Sequence, residues 1–152
     1  MQTDAYPTLI IPAYQPSEKL VQLIKALREL HSDQRIIVVD DGSGTGSAAI
    51  FSKIHDFNIE LLRHPKNQGK GQALKTGFQY WLETSSPAAP GVVTADADGQ
   101  HLPQDILHIS AVFREYPLTL YLGVRQFDKD STPWRSRFGN KLTTFVLRLF
   151  TK

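Results

Sequence analysis

The sequence predicts an α/β domain built on a mainly parallel sheet with helices on both faces. Short apolar runs of strand character alternate along the chain with longer segments whose apolar residues recur at helical spacing. Strands that alternate with helices are parallel, because each helix returns the chain to the same end of the sheet. A further observation places the function. Three runs end in Pro12-Ala13-Tyr14, Asp40-Asp41-Gly42-Ser43 and Asp96-Ala97-Asp98. Ligands of such sheets bind outside the carboxyl ends of the strands.

The elements follow in order. Residues 8–11 read as a strand ended by Pro12. Pro16 can open a helix at its first turn, and Leu20, Ile24 and Leu27 give it an apolar stripe. Residues 35–39 form a strand that runs into Asp40-Asp41-Gly42-Ser43. A shorter helix covers residues 48–55, and residues 58–62 are a strand. The spacing of Leu74, Phe78 and Trp81 predicts a helix over 72–83. Residues 91–95 are a buried strand. Ile106, Ile109 and Phe113 face inward on a helix over 103–114. A strand at 118–122 and a last helix at 136–150 complete the pattern.

The 152 residues are expected to form a single domain, 1–152, and suffice for a sizeable core. Apolar content of 41% and charged content of 21% are ordinary for a soluble globular protein. Without cysteine there is no disulfide framework and no thiolate metal site. No apolar run approaches the roughly 20 residues of a membrane-spanning helix. Charge is lopsided: residues 1–124 carry 10 Lys+Arg against 13 Asp+Glu, and residues 125–152 carry 7 against 2. The basic end faces an anionic partner or solvates a surface.

The segment from Val92 to His101 carries the most chemistry. Its apolar run ends in Asp96 and Asp98, two residues apart. In extended chain such residues point to the same side, so two carboxylates converge beside Gly99. That suits a hard divalent cation with positions left open for phosphate oxygens. A calcium loop does not fit, because its fixed glycine falls on His101 and its closing glutamate on Leu107. A dinucleotide fold lacks its G-x-G-x-x-G after the first strand. Gly69-Lys70-Gly71 is not a P-loop. It reads either as a flexible helix entry or as backbone and lysine near phosphate.

Taken together, Pro12-x-Tyr14, Asp40-Asp41-Gly42-Ser43, Asn67-x-Gly69-Lys70-Gly71-x-x-Leu74 and Asp96-Ala97-Asp98-Gly99-Gln100-His101 resemble the family 2 glycosyltransferases. The Asp-Ala-Asp-x-Gln-His form is most similar to the dolichyl-phosphate mannose synthase and bactoprenol glucosyltransferase branch. Gly123-Val124-Arg125 and the stretch from Trp134 to Lys141, with Arg137 and Asn140, match that branch too.

The resemblance implies a GT-A-type nucleotide-diphospho-sugar transferase fold. It implies an inverting, metal-dependent hexosyltransferase that moves a sugar from a UDP-, GDP- or dTDP-linked donor to a polyprenyl phosphate. Pro12, Tyr14, Val38 and Asp40 would line the base and ribose pocket. Asp41, Lys70 and Ala97 belong to the same substrate-binding set. Asp96, Asp98 and Gln100 would hold Mg²⁺ or Mn²⁺ against the diphosphate. Asp98, Arg125 and Arg137 form the implied catalytic set, the two arginines clamping phosphates. The acceptor phosphate is already anionic, so no general base is assigned, and His101 is read as structural or as a hydrogen-bond partner of the metal-binding residues.

Two departures stand out. Gln15-Pro16 stands where the family usually carries Asn-Glu after the tyrosine. The resemblance also implies an acceptor-side and membrane-side segment beyond Lys152. The alternative reading is therefore a nucleotide-sugar-binding module without turnover in this length of chain. A sugar-nucleotide pyrophosphorylase is disfavoured, because Ala13-Tyr14-Gln15-Pro16 supplies no Gly-rich loop. Phe138, Leu142, Phe145, Val146 and Leu149 recur at helical spacing beside Lys141, Arg148 and Lys152. They predict a basic amphipathic helix in peripheral contact with a membrane. The expected location is the cytoplasmic face of that membrane, with no nucleic-acid partner.

Overall fold

The computed structural model describes residues 6–115, 119–121 and 123. Among the described residues four strands form one parallel sheet in the order β3-β2-β1-β4: β1 (Thr8–Ala13), β2 (Ile36–Asp40), β3 (Glu60–Arg63) and β4 (Val92–Thr94). All six residues of β1 and all five of β2 are buried. Central strands covered on both faces need such unbroken apolar runs. Alternate side chains then sort to opposite faces. Leu9, Ile11, Ala13, Ile36 and Val38 enter one core cluster, and Ile10, Ile37 and Val39 enter the other.

The first cluster is closed by α1 (Glu18–Leu30), α2 (Ala48–His55) and α4 (Pro103–Glu115). Helix α1 buries Leu20, Leu23, Ile24 and Leu27, one stripe at helical spacing. Its cap is Ser17, whose hydroxyl accepts from the Lys19 N–H at 3.4 Å; Pro16 lies outside the helix, one residue before the cap. Ile106 is buried on α4, with Ile109 packed half-buried beside it.

The second face is covered by α3 (Lys70–Thr84). The expected stripe of Leu74, Phe78 and Trp81 is only half-buried there. Ala73 and Gly77 make the close contact instead. A Cβ on Gly77 would stand 2.6 Å from Ile10 Cγ2 and 3.3 Å from Val39 Cγ2. The small residues let the helix axis approach, and the larger side chains spread to either side.

Pro12 corrects the expected strand end, because β1 continues through it to Ala13. Thr8 N–H bonds to Gly91 O at 2.9 Å and Ala95 N–H to Ile10 O at 3.2 Å, so even-numbered residues of β1 face β4. Pro12 lacks the N–H that would extend this ladder, and pairing with β4 ends at Ile10–Thr94. On the other side Pro12 stays in register with Val39, and Ala13 with Asp40. The chain therefore parts from β1 after β4. It parts where the strand order reverses, since β2 and β3 extend the sheet to one side of β1 and β4 to the other. Thr119, Leu120 and Tyr121 are not in a strand. The rest of the expected strand at 118–122 and the helix expected at 136–150 lie outside the described residues.

Candidate functional site

A crevice of about 500 Å³ opens at that reversal point. Pro12 and Tyr14 border it from the end of β1, Asp41 from the end of β2, and Asp96, Ala97 and Asp98 from the turn after β4. Gly69 and Lys70 enter from the start of α3 and Lys19 from the first turn of α1. Seven residues expected from the sequence are thus brought together: Pro12, Tyr14, Asp41, Lys70, Asp96, Ala97 and Asp98.

Tyr14 is 49% exposed at the crevice. The next residue, Gln15, holds φ at +46°, an uncommon conformation for a side chain with a Cβ. Its N–H donates to Ser43 Oγ at 2.8 Å, and its Nε2 donates to the Tyr14 hydroxyl at 3.3 Å. The ends of β1 and β2 are pinned together by this pair.

The two adjacent aspartates after β2 take different parts. Asp40 is 5% exposed, and its Oδ1 accepts the Ser43 N–H at 2.8 Å. It caps the turn, with Arg63 Nε at 3.8 Å, and does not border the crevice. Val38 is likewise absent from the crevice wall. It is fully buried in the core, because its position in β2 points it towards α1 and α2.

Asp41 is 2% exposed and accepts the N–H groups of Gln68 at 2.9 Å and Gly69 at 2.8 Å, and His64 Nδ1 at 2.7 Å. Burial alone would raise its pKa. The two backbone N–H groups and the His64 ring outweigh burial and hold the carboxyl below its usual range. An ionised carboxylate only accepts, so His64 Nδ1 donates to it, and the other ring nitrogen, Nε2, is hydrogen-bonded with Thr76 Oγ1 at 2.9 Å. Gly42 completes the clamp at φ +72°. A Cβ there would fall 2.2 Å from the Lys66 carbonyl carbon. Asp41, Gly42 and His64 therefore hold the loop of residues 64–69, and that loop delivers Lys70.

The turn after β4 is more open. Asp96 is half-buried, with Lys70 Nζ 2.6 Å from its Oδ1 and His101 Nε2 3.9 Å from its Oδ2. Asp98 is exposed, and its Oδ1 accepts the Gln100 N–H at 2.9 Å. Gln100 does not border the crevice. Among the described residues no group of three His, Cys, Asp or Glu side chains is arranged to hold a metal ion. Two hard carboxylates are nevertheless what Mg²⁺ commonly takes from a protein, the remaining positions going to water and substrate phosphate. Asp96 and Asp98 both border the crevice.

Arg125, Arg137 and Asn140 lie outside the described residues. Sequence reading missed His64, Thr76, Gln15 and Lys19. His64 and Thr76 stand 23 and 35 residues from Asp41, and no local pattern links them. For Lys19, a place in the first turn of the helix after the Tyr14 segment was the available signal.

A parallel sheet with an acidic crevice at the reversal of its strand order defines the class: a GT-A-type α/β domain. Residues 8–151 match the model of Glycosyl transferase family 2, and the chain belongs to that family. It is 31% identical over 115 residues to the UDP-N-acetylglucosamine–dolichyl-phosphate N-acetylglucosaminyltransferase of Methanococcus voltae, covering 66% of this chain and 44% of that one. It is 31% identical over 113 residues to the undecaprenyl-phosphate mannosyltransferase of Micrococcus luteus, covering 73% and 45%. With the polyprenol monophosphomannose synthase of Mycolicibacterium smegmatis it shares 28% identity over 149 residues, covering 91% and 55%. The chain spans about half the length of the curated relatives it matches.

Proposed function

We propose that this chain binds the donor in an inverting transfer of a sugar from a nucleoside diphosphate to a polyprenyl phosphate. The observation that carries the reading is the meeting of Asp96, Asp98 and Lys70 at the reversal point between β1 and β4. The relatives named above supply the substrate classes. Tyr14 offers an aromatic face for a base, and Pro12 the wall beneath it. Asp96 and Asp98 would hold Mg²⁺ or Mn²⁺, which when bound offsets the diphosphate charge and favours its departure. Lys70 lies against Asp96 at the same mouth, within reach of an anionic ligand. Arg125 and Arg137 would add guanidinium forks to the phosphates.

In the transfer, an oxygen of the acceptor phosphate forms a bond to the anomeric carbon. The bond from that carbon to the diphosphate breaks on the opposite face, and the diphosphate leaves with the electron pair. The attacking oxygen is already anionic, so no residue need remove a proton. Positioning and electrostatics supply the catalysis. The acceptor is met at the cytoplasmic membrane surface, with the basic end of the chain in peripheral contact.

Titration calorimetry with UDP-, GDP- and dTDP-sugars, each with Mn²⁺ and with excess chelator, tests the reading. Binding of one donor class that requires the metal is expected. Failure to bind any of them in either condition would overturn it. Flotation with anionic and neutral vesicles at low and high salt tests the membrane contact, and equal behaviour on both vesicles would remove it.

A further inference from the structure

Among the described residues two lysines border the crevice, and their ammonium groups are in different states. Lys70 is paired with Asp96 at 2.6 Å. Lys19 borders the same crevice, but none of the ion pairs among the described residues includes it. Among the described side-chain hydrogen bonds, the one that includes Lys19 is made by its backbone N–H and not by its ammonium group. Its stem is nevertheless placed. A Cβ built on Gly99 would stand 3.0 Å from Lys19 Cδ, 3.2 Å from Cβ and 3.3 Å from Cγ. The lysine thus lays its methylenes along the turn that follows Asp98, filling the space that a glycine leaves. Long cationic side chains cover such surface with their stems and keep the charged head in water.

A diphosphate entering beside Asp96 and Asp98 adds negative charge to an acidic mouth. Lys70 already offsets Asp96, so among the described residues that border the crevice Lys19 is the unpaired cation able to compensate the newcomer. We propose that Lys19 is a phosphate-binding residue of this crevice, seated by Gly99 and holding the donor diphosphate through its ammonium group. The assignment rests on the nucleotide-sugar reading of the crevice. Charge at position 19 then governs affinity for diphosphates and its salt dependence. It leaves uncharged nucleosides unaffected.

Lys19→Met keeps an apolar stem over Gly99 and removes the charge, and Lys19→Arg returns the charge. Calorimetry on the three proteins uses pyrophosphate, UDP, GDP, uridine and guanosine with Mn²⁺, at low and high salt. Lys19→Met is expected to weaken pyrophosphate and nucleoside diphosphates about ten-fold at low salt, the size of one charge-assisted contact, and to flatten the salt dependence. Nucleoside binding should match wild type, and Lys19→Arg should recover most of the loss. Wild-type affinity for diphosphates in Lys19→Met would overturn the assignment while leaving the crevice reading intact. Equal weakening of nucleosides and diphosphates would also overturn it, as the mark of a merely structural stem. Failure of the wild type to bind any nucleoside diphosphate would overturn the crevice reading and the assignment with it.

Discussion

After β2 the chain carries Asp40 and Asp41, and after β4 it carries Asp96 and Asp98. The first pair is buried, and its bonds go to the protein itself: Ser43 for Asp40, and Gln68, Gly69 and His64 for Asp41. The second pair is half-buried to exposed, with Lys70 on Asp96 and a local turn bond on Asp98. The same residue type at the same end of the two strands that flank β1 therefore does two jobs. Where backbone N–H groups reach the carboxylate it becomes a clamp. Where the carboxylate stays exposed with a single local bond, as at Asp98, its other lone pairs remain available for a ligand.

The largest expected effect tests the clamp. Asp41→Ala removes an acceptor from three donors and leaves buried N–H groups unpaired, and should cost about 3 kcal/mol or more of stability. Asp98→Ala in the same urea titration should stay within about 0.5 kcal/mol of wild type. Similar losses for the two would erase the distinction between the strand ends. Gly42→Ala comes next. Its φ of +72° and the Lys66 backbone 2.2 Å from a new Cβ leave no small adjustment, and a loss of about 2 kcal/mol is expected. Unchanged stability would mean that the 64–69 loop is not held against this turn.

The third test moves to ligand binding. Asp98→Ala should weaken a nucleoside diphosphate with Mn²⁺ by about 1–3 kcal/mol, the worth of a charge-assisted contact. Calorimetry with metal and with chelator measures it. Equal affinities for variant and wild type would return Asp98 to the role of a turn residue.

The gentlest probe is pH. Burial opposes ionisation of Asp41, but its donors win and depress its pKa. Glu60 is depressed chiefly by the Arg35 guanidinium, which donates to it at 2.6 and 2.9 Å. A depressed carboxyl contributes stability that is fully present above its unfolded pKa, about 4. That contribution is lost as pH falls through the lower folded value. Urea midpoints should therefore drop between about pH 5 and 3, and Asp41→Asn should show a smaller drop. An identical drop would exclude Asp41 from the acid response.

Much of this architecture was legible in the chain. The parallel strands, the helices and the site at the ends of β1, β2 and β4 follow from apolar period and from where runs stop. Ala48–His55 and the start of α4 at Pro103 agree with the sequence reading residue for residue. The α3 contact was not legible. Periodicity weighs side chains by size and hydrophobicity, so it selects Leu74, Phe78 and Trp81. Close packing of a helix on a sheet instead favours Ala73 and Gly77, which carry little to read. The end of β1 was misjudged for a related reason. Proline stops a ladder on one side only, and which side it faces depends on a neighbouring strand that arrives 80 residues later.

By itself, then, the sequence determined the order of the elements from β1 to α4, the buried runs of β1, β2 and α1, and the family to which the chain belongs. Those depend on local period and on motifs contiguous in the chain. Only the tertiary structure decided which aspartate is a clamp and which is open, that Val38 and Asp40 do not border the crevice, that His64 holds Asp41, and that Lys19 borders the crevice. A carboxylate's state is set by the donors and cations that surround it. For Asp41 these come from residues 64, 68 and 69, and for Asp96 from residue 70. Their arrival depends on a chain that crosses the whole sheet before returning to its reversal point.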